Sequence, residues 1–236
     1  MADYQLIRSK RKTLALVVSR EGVLEARAPM RLSKAAIDRF VVAKQDWIEE
    51  KQAEMRRRAA ERTAFQVGIG SCLPFLGQAL PVEPGDKPVL TGEAFLVDPE
   101  RPVKPQIIGL YRQAARREME ERLRRFAPLV GAEPASLRIT GASTRFGSCS
   151  GRNGISFTWK LMLAPPELAD YVAVHELCHI LQHNHSPRFW KEVERVLPDY
   201  REREQALRAF GRSLQEQDWD SEKASRALPK GQGRRP

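Results

Sequence analysis

The chain reads as an α+β protein, and three observations predict it. Short runs rich in β-branched and aromatic residues, bounded by Gly and Pro, occur at the N-terminus, between residues 67 and 99, and again from 136 to 163. Between and after them, apolar residues recur at helical spacing. The last of these helices carries a cluster of histidines directly after the final strand-like run. The pattern groups into an N-terminal mixed β and helical part with one long helix (1–100), a part in which a small sheet flanks the histidine-bearing helix (101–215), and a tail (216–236).

The elements follow in order. YQLIRS, TLALVVS and VLEARA between residues 4 and 28 predict three strands, with Glu21-Gly22 as a tight turn between the last two. Ser33 is a suitable N-cap, and Ile37, Phe40, Val41, Trp47, Ile48 and Met55 predict a single amphipathic helix to about Arg62. LPFLG and AFLV, within the Gly- and Pro-rich stretch 67–99, read as short strands. Ile108, Tyr111, Ala115, Met119, Leu123 and Phe126 share one face of a second helix. SLRITG, TRFGSCS and GISFTWKLML then read as strands, with Arg152-Asn153-Gly154 turning between the last two. Pro165-Pro166 starts the helix that holds the histidines.

Composition removes several classes. With 236 residues and 42% hydrophobic content, the chain can bury a sizeable core, which excludes a disordered or fibrous protein. No apolar run follows the N-terminal charges, and none approaches the roughly 18 residues of a membrane span, so a soluble, cytoplasmic protein is expected. The three cysteines, Cys72, Cys149 and Cys178, form no CxxC and suggest neither a disulfide framework nor a cysteine metal site. The net charge of +10 lies partly in residues 221–236, which hold five basic residues and one Glu and are expected to be disordered. Further basic clusters, Arg56 to Arg58 and Arg116, Arg117, Arg122, Arg124 and Arg125, are interleaved with Glu. They read as a solvated helix face or as a surface for nucleic acid.

All four histidines, His175, His179, His183 and His185, fall within one short segment, and the first two belong to HELCH, an H-E-x-x-H pattern. Residues i and i+4 of a helix lie on one face, so both imidazoles can reach one zinc ion at about 2.0 to 2.1 Å. Glu176 is turned about 100° from His175, outside the chelate yet within reach of a water on the ion. Zinc with three protein ligands keeps a position for water and lowers that water's pKa to about 7. Glu176 would then take the water's proton as it attacks a carbonyl and return a proton to the leaving amine.

The third ligand follows from helix geometry. His183 continues the same face, but a rise of about 1.5 Å per residue puts it about 12 Å along the axis from His175. A third histidine returns to the ion only if the helix ends. Asn184 tolerates the left-handed conformation that closes helices, and Ser186-Pro187 is a cap followed by Pro at the first position of a new helix. The turn favours His185; a downstream acid such as Asp199 or Glu202 remains an alternative. The spacing is shared with metzincins, but Gln182 stands where they carry Gly. All five methionines also precede the helix, so no Met-turn can follow it.

TRFGSCS (144–150), ISFTWKLMLAP (155–165), DYVAVHELCHILQHNHSPRFW (170–190) and LPDY (197–200) together resemble the YgjP-like metallopeptidase family, related to SprT-like zinc proteases. IRSKRKTLALVV, Trp47-Ile48 and LPFLGQAL extend the resemblance over roughly residues 4 to 210. It implies a zincin-like catalytic part, zinc on His175, His179 and His185, and a catalytic Glu176; Phe146 departs from the family's usual Trp.

Other residues have two readings each. Arg145 is a candidate for holding a substrate carboxylate or an oxyanion, or else a structural ion pair. Tyr200 is a candidate donor to the tetrahedral intermediate. Cys178 and Cys149 read as packing, and Phe189 and Trp190 as the wall behind His185. The expected activity is peptide hydrolysis on protein or peptide substrates. The alternatives are hydrolysis of another bond, such as a nucleotide phosphoanhydride, and a nucleic-acid-associated role through the basic helices and tail.

Overall fold

The computed structural model describes residues 3–19, 22–215 and 217–219, so Glu21 and the basic tail beyond 219 lie outside the described residues. The described chain falls into two compact units, one comprising residues up to 65 with the stretch from 213, the other residues 66–212.

In the first unit, β1 (Gln5–Ser9), β2 (Ala15–Val18) and β3 (Leu24–Pro29) form a sheet in the order β1-β3-β2, with β1 parallel and β2 antiparallel to β3. Period-two alternation turns Leu24, Ala26 and Ala28 of β3 inward, where they meet Ile37, Val41 and Ile48. The helical segment is two helices, not one: α1 (Lys34–Val42), capped by the Ser33 hydroxyl, and α2 (Gln45–Ala64). Lys44 N–H bonds back to Val41 O, three residues away, and Ile48 N–H to Lys44 O, so the ladder tightens at residues 43–44 and restarts. No Gly or Pro marks the break; it lies between Val41 and Ile48, both fully buried against β3.

In the second unit, β4 (Cys72–Phe75), β5 (Gln78–Pro84), β6 (Val89–Leu90) and β7 (Phe95–Val97) form a sheet in the order β4-β5-β7-β6. Residues 67–99, which composition groups with the N-terminal part, fold in this unit because Phe95 packs against Tyr111 (centroids 5.0 Å apart) of the long helix α3 (Val103–Val130). Tyr111 in turn donates to Pro74 O at 2.6 Å and stacks on Trp159 at 5.5 Å. α3 runs through Pro128 and ends at Gly131, whose φ of 77° is the left-handed closure.

Beyond α3 come β8 (Ser136–Thr140), β9 (Gly147–Cys149) and β10 (Gly154–Thr158), ordered β8-β10-β9, so β9 is an edge strand. The expected turn between β9 and β10 forms, with Asn153 at φ 58°. A buried 3-10 turn, Trp159–Leu163, leads to α4 (Pro166–Leu181), followed by α5 (Pro187–Val196) and α6 (Tyr200–Leu214). α4 is buried on nearly every side through Leu168, Ala169, Tyr171, Val172, Ala173, Val174, Leu177 and Cys178. A helix apolar all round is a core element, which makes its half-exposed histidine stripe stand out.

An ionic clamp fixes α4 against α3. Arg122, with a side chain only 10% exposed, ion-pairs with Asp170 of α4 at 2.9 Å and with Glu118 at 2.8 Å, and Arg125 adds a more exposed contact to Asp170. Removing one partner of such a pair strands the other charge. Asp170→Ala is therefore expected to lower unfolding free energy by about 2 to 4 kcal/mol in urea titrations, discounted for the partial exposure of Asp170. Arg125→Ala should cost under about 1 kcal/mol.

Candidate metal centre

His175 and His179 stand one turn apart on α4, and the chain then reverses to bring His185 onto them. One ring nitrogen from each of the three lies within 4.8 Å of the others, a grouping that His183, Asp199 and Glu202 do not join. Asp199 is instead ion-paired with Arg203. The reversal differs in detail from expectation. α4 ends at Gln182, which is extended, and Asn184 does not adopt positive φ. Its Oδ1 accepts from Ser186 N–H at 3.2 Å instead, so the side chain rather than a left-handed backbone makes the turn. Pro187 then occupies the first turn of α5 as expected.

The donor set fits a divalent cation. His175 Nε2 and His185 Nε2 are 3.1 Å apart, close to the roughly 3.3 Å separating two nitrogens on a tetrahedral ion at about 2.0 to 2.1 Å. His179 places Nδ1 at 3.1 Å from Gln182 O, an orienting contact that leaves Nε2 for a metal. Burial, reinforced by the neighbouring imidazoles, pushes His175 down to about 3 and so keeps it in the neutral, ligating form; burial lowers His179 as well.

Aromatic rings hold this geometry. Phe189, fully buried, touches all three imidazoles, with centroids at 4.9, 4.5 and 4.8 Å from His175, His179 and His185. Trp190 stacks on His185 at 5.6 Å, and Tyr200 stacks on Trp190 at 5.3 Å. Tyr200 thus reaches the imidazoles through Trp190, its hydroxyl accepting from Arg201 Nε at 3.2 Å. Tyr171, one turn before His175 and edge-on to its ring at 5.7 Å, closes the other side; nothing but its place on the helix singled it out in the sequence.

Glu176 is 6% exposed and lies against β9. A Cβ on Gly147 would sit 2.6 Å from Glu176 Oε1 and 2.7 Å from its Cγ. Glycine is therefore required there by close approach, the meaning a strand glycine often has and the clue present in FGSC. Burial lifts the Glu176 carboxyl to about 7, opposed by the charge of Arg145. Arg145 itself is exposed, on the segment leading into β9. Cys178 is buried as packing, and Cys149 lies half-buried on β9, its thiol raised by burial and then by Glu176.

Residues 12–210 match the YgjP-like metallopeptidase domain. The chain belongs to this family, and it is accordingly a hydrolase of the metallopeptidase class. Among solved structures, the metallopeptidase zymogen abylysin of Pyrococcus abyssi is similar over 39% of this chain and 93% of its own, at 24% identity and a TM-score of 0.37. No curated protein gives a significant match. Among the described residues, no helix is long and apolar enough to cross a membrane.

The contact at Gly147 yields a direct test. Gly147→Ala forces Glu176 from its place without touching the imidazoles. It should retain one metal per chain by elemental analysis while hydrolysis falls about 100-fold, the scale of an ångström-sized misplacement.

Proposed function

We propose that the protein is a zinc-dependent peptidase in which His175, His179 and His185 hold the metal and Glu176 is the general base. The observation that carries this reading is the convergence of three imidazole nitrogens within 4.8 Å beside a buried carboxylate that packs on an edge strand. A zinc ion bound there supplies Lewis-acid polarisation to a water and to the scissile carbonyl.

Glu176 accepts the proton of the attacking water and delivers it to the departing amine. Burial raises the proton affinity of this carboxyl, which helps it take up the water's proton. Gly147 makes room for the carboxylate by placing no side chain there. Arg145 favours the ionised form of Glu176 and, being exposed beside it, is available to a substrate carbonyl or carboxylate. Phe189, Trp190 and Tyr200 orient the imidazoles by packing alone.

Substrate binding follows from the sheet. β9 pairs with β10 through Gly147↔Phe157, Ser148↔Ser156 and Cys149↔Ile155, and among the described residues its other edge is unpaired. An extended peptide added to that edge runs past Gly147 and brings a backbone amide beside Glu176. The ligand taken is a main chain, which is why a polypeptide suits this cleft better than a nucleotide.

The test is hydrolysis of an unfolded protein by the zinc-loaded enzyme. Activity should be abolished by a chelator and restored by zinc, and Glu176→Gln should lose at least about 1,000-fold in kcat while binding zinc as the wild type does. Full activity in Glu176→Gln would remove the general-base assignment.

A further inference from the structure

A second site lies away from the histidines, between α3 and the outer strand β8. An open surface cavity there is lined by Arg112, Gln113, Arg116, Leu137, Arg138 and Ile139. Three arginines border it from two elements: Arg112 and Arg116 stand one turn apart on α3, and Arg138 comes from β8.

Several arginines of α3 are used internally: Arg122 and Arg125 clamp Asp170, and Arg117 lies 3.8 Å from Glu118. Of the three at the cavity, Arg116 alone is ion-paired. Arg116 is anchored through Nε to Glu120 at 2.6 Å and through a second nitrogen to Leu137 O at 3.2 Å. Arg112 lies against Gly141, where a Cβ would stand 3.0 Å from its terminal nitrogen. With Arg116 paired to Glu120, two guanidinium charges at the cavity, those of Arg112 and Arg138, lack an ion-pair partner among the described residues. A bound anion supplies one.

We infer that this cavity is a binding site for phosphate groups, distinct from the metal centre. Planar guanidinium forks match tetrahedral oxyanions bidentately. The phosphates of a free nucleotide and of a nucleic-acid backbone present the same chemistry to these residues, and the chain's net charge of +10 favours either.

The full-length protein is titrated into a fluorescein-labelled single-stranded 20-mer and followed by anisotropy at several salt concentrations, with ATP, pyrophosphate and polyglutamate as competitors. Arg112→Glu with Arg138→Glu should weaken binding at least about tenfold and reduce the salt slope by about 2. Arg152→Glu with Arg212→Glu, the same charge change elsewhere, should weaken it less than about threefold. Arg112→Gln with Arg138→Gln removes the two charges without reversing them and should weaken it about fivefold, which keeps the test valid if the double reversal fails to fold. Competition by micromolar ATP assigns the site to nucleotides; its absence assigns it to the polymer backbone. Removing the metal should change nothing, which separates this site from the proposed peptidase activity. No binding by the wild type, equal losses in the two double reversals, or polyglutamate competing as well as the nucleotides would overturn the inference.

Discussion

The contact between the Glu176 carboxylate and the backbone of Gly147 sets the distance between α4 and the edge strand β9. A side chain at either point changes that distance, and with it the relation between the proposed base and any peptide laid along the strand. Burial of the same carboxylate raises its pKa. The clamp of Arg122 on Asp170, on the same helix five residues before His175, and the stacking of Tyr111 on Trp159, just after β10, hold the two sides of that contact.

The imidazoles depend on a different kind of support. Apart from the contact of His179 with Gln182 O, they are held by rings: Phe189 against all three, with Trp190 stacked on His185 and Tyr200 on Trp190. Apolar packing desolvates His175 and His179 and keeps them neutral, the state a cation requires. It also links α5 and α6 to the site, although neither contributes a group to the proposed reaction.

Much of this was legible in the sequence. The spacing of His175 and His179 on a helix needs no tertiary information, and the argument for His185 needed only the length of a helical turn and the certainty that the helix ends. The means of ending it was not legible. Asn184 is suited both to a left-handed backbone and to a side-chain turn, and the choice rests on the approach of Ser186 N–H. The break at residues 43–44 is invisible for a related reason: it carries no breaker residue, and the two helices meet within one buried apolar stripe. Gly147 was visible only as a glycine in a strand. Its partner lies 29 residues away, and local pattern carries no information across that separation. The basic residues of α3 likewise looked alike until Asp170 and Glu120 showed which were ion-paired.

The central claim is that three imidazoles, and no other side chains, form the protein's share of the metal's coordination. X-ray absorption at the zinc edge of the loaded protein tests it most directly. The account predicts a first shell of nitrogen and oxygen at about 2.0 to 2.1 Å with outer-shell scattering from three imidazole rings. A sulfur shell near 2.3 Å, or scattering from only two rings, would contradict it.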